Sequence, residues 1–377
     1  MKIYKISSEC DFAAICSKIG ASEAGTKIMV KKSNLNYFYL KDLRRPAANI
    51  LKQDALSVGA ELVTSRGTIL GGEELEEALL VANTAQTAIL AKKEAAQDFG
   101  LKELAKFLSF KFEMPAHSQI MGVLNFNSDS FNPQSRSNLN EAAARVAKLI
   151  EEGADIVDIG AASSRPNSEY CGADEEFARI APVIDVLYRE GLTKMAVFSL
   201  DSFDLKCQRY ALEHGFSFVN DISANAALAA LAGEFDATYC LMHGGKQGGA
   251  NNSNLTCDIM GEVDEFFERK IAQCEAAGAK KIVLDIGVGF GKDAAQGLAL
   301  IKNLSHFSRF EKPLLVGASR KSLINAYYPS EVSGRLAGTL FLHQKALENG
   351  AAIIRVHDVK EHAQMMKLSA AYHEILG

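Results

Sequence analysis

From about Ser118 onward, eight short apolar runs succeed one another, nearly every one leading into a polar or glycine-rich turn and then a helical pattern. They occupy residues 120–125, 156–160, 196–201, 218–221, 237–242, 281–285, 313–317 and 352–356. Between them lie amphipathic stretches such as 140–152, where Ala143, Val146, Ala147 and Ile150 recur at helical spacing before Gly153. The same grammar repeats at 206–214, 262–277 and 335–349, ahead of Gly215, Gly278 and Gly350. Buried strands alternating with helices build a parallel sheet from βα units. Eight such units in about 260 residues match the size of a TIM (β/α)8 barrel. An open doubly wound sheet shares the alternation, because strand order is not written in the sequence.

The first 115 or so residues follow a different pattern. Residues 2–6, 27–30 and 37–40 read as strands, 46–57 as a helix and the alanine-rich 73–99 as a long helix. This predicts a small N-terminal α/β domain at 1–115, with no catalytic motif, ahead of a barrel at 116–377. The segments Arg44-Arg45-Pro46 and Leu70-Gly71-Gly72 fit plain turns better than a ligand loop.

A 377-residue chain with 48% hydrophobic residues buries a large core, so disorder is not expected. A net charge of −5 supplies no general field for nucleic acid or an anionic membrane. Any anionic ligand must then be held by local donors. Seven scattered cysteines, never spaced C-x-x-C, point to neither a disulfide framework nor a zinc site, and fit reduced thiols in a cytosol. No stretch approaches the roughly 18 apolar residues of a membrane span, and the N-terminus lacks the features of a signal peptide.

Barrel active sites sit where the βα loops converge, so the residues that end the strands carry the functional information. The first run ends in MGVLNFNSDSF, where the Asn125 amide suits Mg²⁺ or phosphate but also suits a turn. The second ends DIGAASSRP, setting hydroxyls beside the Arg165 guanidinium, a fork shaped for phosphate or carboxylate. Asp201 and Asn220-Asp221 close the third and fourth runs, as ligand groups or as helix caps. The sixth gives LDIGVGFGK, whose alternating glycines let backbone approach a ligand but have neither Rossmann nor P-loop spacing. The last two end GASRKS and RVHD, so Arg320, Lys321, Arg355 and His357 predict a basic corner where barrels bind phosphate. Taken singly, His357 also reads as a core histidine and Lys321 as a solvated helix start. Carboxylates and amides facing cations suit a heterocycle with N–H groups and a phosphate tail.

In their order, MGVLNFNSDSF, SSRP, VNDI, LDIGVGFGK, LVGASRKS and IIRVHDV resemble the motifs of dihydropteroate synthase, over about 120–368. The resemblance implies a transferase of folate biosynthesis that joins 7,8-dihydropterin-6-ylmethyl diphosphate to p-aminobenzoate, releasing pyrophosphate. It also implies Mg²⁺, held through Asn125. Asp201, Asn220, Asp285 and Lys321 match the family's pterin-binding positions, with Met242 and Phe290 walling in the ring. Asn125, Arg355 and His357 match its diphosphate and metal contacts. Phe131, Ser164, Arg165, Pro166 and Ser322 match its p-aminobenzoate region. The catalytic set carried over is therefore Asn125, Arg165, Lys321, Arg355 and His357. The pterin ring feeds electrons into its exocyclic methylene while the metal and cations neutralise the leaving diphosphate, and no covalent enzyme intermediate is required. A cytoplasmic homodimer paired through outer barrel helices is the implied assembly.

The chain departs from the family pattern at several places. Asn127-Ser128 stands for Thr-Pro, Ala162 for an acidic residue, Ile286 for a proline, and Gly244-Gly245-Lys246 for a Met-Arg-Gly-like turn. Residues 1–115 are outside the family core. A corrinoid-dependent pterin methyltransferase is the rival within the fold, but it needs no diphosphate site. A noncatalytic pterin-binding protein is the rival from another class, and retained pterin affinity without turnover would mark it.

Overall fold

A computed structural model describes residues 1–8, 10–126, 136–160, 172–244 and 258–375. They divide into two units, Met1–Lys111 with Ser369–Gly377, and Phe112–Leu368. In the first, helices α1 (Phe12–Ile19) and α2 (Glu23–Ser33) precede strand β1 (Leu35–Arg44), helix α3 (Arg45–Ser57) and strands β2 (Glu61–Val63) and β3 (Leu75–Asn83). Helices α4 (Thr84–Glu94) and α5 (Leu101–Leu108) follow. The strands form an antiparallel sheet in the order β1-β3-β2, and Leu51, Leu62, Leu80, Leu90 and Leu101 share its core.

Three readings of this region are corrected. Residues 2–6 are exposed and have no regular structure, their backbone groups open to water instead of paired in a ladder. Residues 27–30 lie inside α2, where Ser22 caps the Gly25 N–H at 3.2 Å and Glu23 pairs with Lys27 one turn on. Residues 73–99 split into β3 and α4. The leucines and alanines of β3 favour helix, but pairing on both sides buries Ala78, Leu80 and Ala82 at a period of two, and tertiary context overrides propensity.

The second unit is a closed parallel barrel of eight strands among the described residues. These are β4 (Gln119–Asn125), β5 (Ile156–Gly160), β6 (Val197–Asp201), β7 (Phe218–Asp221), β8 (Thr238–Met242), β9 (Lys281–Asp285), β10 (Leu314–Val316) and β11 (Ala351–Val356). All eight apolar runs are therefore strands, and the open-sheet alternative is excluded by β11 pairing back onto β4. The shell is α6 (Arg136–Glu151), α7 (Ala173–Arg189), α8 (Leu205–Glu213), α9 (Ala226–Glu234), α10 (Ile259–Ala277), α11 (Ala294–Lys302), α12 (Ser322–Tyr327), α13 (Leu336–Glu348) and α14 (Val359–Glu374).

Strand side chains alternate between the helix shell and the barrel interior. Phe198, Leu200, Val219 and Ile354 belong to the outer core. Met121, Ile156, Phe218, Cys240, Val283, Leu315 and Ile353 form a separate apolar layer across the bore. Beneath that layer, at the N-terminal mouth, lies a bowl of about 600 Å³ rimmed by Lys280, Lys281 and Lys312, with Phe218 and Ile353 in its lining.

Candidate active site

Two residues beyond each apolar plug residue, the same strand face must point into the barrel one layer higher. In four strands that step lands on a polar group: Ile156 leads to Asp158, Phe218 to Asn220, Val283 to Asp285 and Ile353 to Arg355. Asp158, Asn220 and Asp285 are at most 1% exposed, which polar groups tolerate only when hydrogen-bonded.

The bonding is complete enough to fix each group. Asp158 accepts from the Ser199 hydroxyl at 2.6 Å and the Asn220 amide at 3.0 Å. Arg355 donates to Asn220 Oδ1 at 3.3 Å and to Asp285 Oδ2 at 3.2 Å, while Asp285 Oδ1 takes the Gly287 N–H at 2.7 Å. Gly317, on the intervening strand end, makes room for this arrangement: a Cβ there would lie 3.2 Å from the Arg355 Nε. Burial, and after it Asp201, pushes the Asp158 carboxyl up to about 7. For Arg355, burial works against the charge, yet Asp285, Asp158 and Asp201 more than offset it and hold the guanidinium charged. Asp201 stands at the next step up, in register with Gly160 and Asn220.

The β9 loop closes one side. Gly287, Gly289 and Gly291 all have positive φ (62°, 78° and 62°), so their spacing serves the backbone path of the turn. Lys292 folds back under it, donating to the carbonyls of His243, Gly287 and Phe290 at 2.8, 3.0 and 3.0 Å. Burial lowers its ammonium to about 8. Lys321, at the foot of α12, donates to the Val288 carbonyl and stands 4.5 Å from the Phe290 ring centroid. Burial, with Arg355 next in size, brings Lys321 down to about 7. Met242, 1% exposed, ends β8 in register with Asp285.

The loops after β10 and β11 are bound to each other. Ser319 Oγ accepts the His357 N–H at 3.3 Å and lies 2.9 Å from its Nδ1, and Arg320 forms an ion pair with Asp358. Arg320 has a φ of 55°, a conformation that costs a non-glycine residue about 1 kcal/mol or more unless its surroundings impose it. Here they do, since Thr339 accepts its N–H and Arg335 donates to its carbonyl, both at 3.0 Å.

The expected basic corner is therefore partly committed elsewhere. Arg320 is matched by Asp358, Arg355 by Asp285 and Lys321 by the Val288 carbonyl, while the exposed His357 is held by Ser319; Ser322, next to Lys321, is exposed. Asn125 ends β4 as an exposed amide in register with Gly160. Phe131, Ser164, Arg165 and Pro166 lie outside the described residues. Sequence reasoning passed over Asp158, Ser199 and Lys292. Asp158 was detectable, as a carboxylate at an inward position within a run apolar on both sides. Among the described residues no three His, Cys, Asp or Glu side chains gather as a metal-binding group.

The model of the pterin binding enzyme family matches residues 121–357. A Helicobacter pylori protein called bifunctional dihydropteroate synthase/dihydropteroate reductase is 40% identical over 95% of this chain and 95% of its own length. Escherichia coli K12 dihydropteroate synthase is 35% identical over 68% of this chain and 92% of its own. A Clostridium difficile dihydropteroate synthase, crystallised in the presence of pteroic acid, superposes with a TM-score of 0.64 at 34% identity, covering 70% of this chain and all of that one.

Proposed function

Since this chain belongs to the pterin-binding enzymes as a dihydropteroate synthase, we propose a division of labour within its barrel for condensing 7,8-dihydropterin-6-ylmethyl diphosphate with p-aminobenzoate. The observation that carries it is the buried polar layer of Asp158, Asn220, Asp285 and Arg355, two residues above an apolar plug. Its carboxylates, with Asp201, suit the N–H groups of a pterin. Lys321, Met242 and Phe290 border the ring. Asn125, Arg355 and His357 receive the diphosphate, and Phe131, Ser164, Arg165, Pro166 and Ser322 the p-aminobenzoate.

In the reaction the methylene C–O bond breaks and its electron pair leaves with pyrophosphate. The arylamine nitrogen forms the new C–N bond and gives up a proton. Fixed cations at the mouth stabilise the charge that accumulates on the departing group. Mg²⁺ fits as a companion of the diphosphate: Asn125 offers an amide oxygen, and Mg²⁺ commonly keeps waters and substrate oxygens as its other ligands. When bound it supplies further charge neutralisation to the leaving group. Pyrophosphate release that requires p-aminobenzoate and matches dihydropteroate formation is the expected result; tight pterin binding without product would return the protein to a binding role.

A second activity is favoured by how far the relatives align. The match to the H. pylori bifunctional protein takes in the N-terminal unit, whereas the E. coli enzyme matches 68% of the chain. We propose that this chain also reduces dihydropteroate, a hydride from a reduced nicotinamide adding to the pterin C=N carbon and a proton to its nitrogen. Nicotinamide oxidation that depends on dihydropteroate is the test, and its absence with and without added flavin would confine the protein to the first reaction.

We also propose a homodimer in the cytoplasm. Tyr327, Tyr328, Val332 and Phe341 are exposed on or near α12 and α13, an apolar outer surface suited to pairing. Among the described residues Cys10, Cys16, Cys207, Cys240 and Cys274 are free thiols, and no helix is long and apolar enough to cross a membrane. Light scattering showing a monomer at working concentration would dispose of the dimer.

A further inference from the structure

Behind the loops that carry Lys321 and His357 lie two imidazoles that the reaction does not use. His343 on α13 and His362 on α14 are fully buried, with His343 Nδ1 2.8 Å from His362 Nε2. Their outer nitrogens are engaged as well. The Ala318 N–H donates to His343 Nε2 at 3.0 Å, and His362 Nδ1 lies 2.6 Å from the Asp358 carbonyl oxygen.

These end groups dictate where the protons are. An amide N–H only donates and a carbonyl only accepts. His343 Nε2 is therefore bare, its proton sits on Nδ1 and is donated to His362 Nε2, and the His362 proton sits on Nδ1 and is donated to Asp358. The run from Ala318 through both rings to Asp358 is complete only while both are neutral. A further proton on either Nε2 would set donor against donor. Burial is the strongest influence on both rings and disfavours that proton; at His343 the neighbouring His362, Lys321 and His357 add to it, whereas at His362 the Asp358 carbonyl, the Asp358 carboxylate and Glu361 oppose it without overcoming it.

The two ends of the run are the two catalytic loops. Ala318 opens Ala318-Ser319-Arg320-Lys321, and Asp358 directly follows His357. Arg335, Thr339 and His343, spaced by four on one helical face, all reach the first of these loops, and His343 alone passes the contact on to the second. Apolar side chains of equal size would fill the volume but strand a buried amide.

We propose that His343 and His362 are positioning residues for the diphosphate end of the site, a neutral two-ring relay that sets the spacing between Lys321 and His357. This rests on the synthase reading for its kinetic test, while its spectroscopic test is independent of activity. Imidazole nitrogen NMR of the full-length protein should show both rings as Nδ1–H tautomers that stay neutral from about pH 8 to about pH 6, where an ordinary histidine is charging. An Nε2–H tautomer, or titration of either ring in that range, would overturn the relay whatever the enzyme does. In the kinetic arm, His343→Leu should raise KM for the pterin diphosphate roughly tenfold. Binding of a dihydropterin lacking the diphosphate should change less than about twofold, and His343→Gln, which can both accept and donate, should recover most of the loss. Equal weakening of both ligands, or no effect on an active enzyme, would reduce the pair to packing; an inactive wild-type protein would sink the synthase reading instead and leave the NMR result standing.

Discussion

Arg355 reaches Asp285 past the empty side-chain position of Gly317, so that one charged contact across the barrel mouth depends on the smallness of a residue from the strand between. The contact is 3.2 Å long, with Asp285 1% exposed. Removing the cation would leave that carboxylate buried without its partner. Arg355→Met should therefore lower stability by roughly 3–5 kcal/mol, read from denaturant unfolding. A loss under about 1 kcal/mol would mean that solvent already screens the pair.

Gly317→Ala probes the same contact sterically. The added methyl would stand 3.2–3.3 Å from the guanidinium nitrogens and turn Arg355 aside. We expect kcat/KM to fall about 10- to 100-fold with the barrel intact by circular dichroism. Unchanged kinetics would show that the guanidinium can shift at no cost to the site.

Asp201→Asn should abolish pterin binding measured by calorimetry while leaving the thermal midpoint near that of the parent. The same change removes a charge that raises Asp158, so the Asp158 carboxyl should titrate below about 7 in the variant. Turnover within a few-fold of the parent would free Asp201 from the role assigned to it.

Lys321 gives a pH dependence with a definite sign. Its folded-state value of about 7 lies below the roughly 10.4 of an unfolded lysine, so the unfolded chain binds more protons between those values. The penalty for burying this ammonium is full below about 7 and is relieved as pH rises. Lys321→Met should then be more stable than the parent in mild acid, with the gap closing toward alkaline pH. A gap independent of pH would refute the sign.

Arg165→Ala follows from the sequence resemblance alone. It should chiefly raise the p-aminobenzoate concentration needed for half-maximal rate, leaving pterin affinity unchanged. An unaltered requirement would return Arg165 to a surface role.

The barrel was legible because every strand is an apolar run that ends in chemistry, and chain order alone carries that signal. Asn125, Asp201, Asn220, Asp285 and Arg355 all sit at those ends. The N-terminal unit was less so: 75–83 has the composition of a helix, and only its partners β1 and β2 make it a strand. His343 and His362 lie in unremarkable amphipathic helices, and what joins them is side-chain geometry between two elements. Asp158 is the intermediate case, missed because attention to loops overlooked the period of two inside the strand.

The apolar plug is one side chain deep. Ile156, Phe218, Val283 and Ile353 line the bowl at the N-terminal mouth on one side, while Asp158, Asn220, Asp285 and Arg355 occupy the next inward positions on the other. The barrel thus behaves as a vessel with a thin floor, and the strength of every charge above it is set by how watertight that floor is. A truncation such as Phe218→Ala would act less as a hole in the packing than as a leak, letting bulk dielectric rise into the reaction chamber from below.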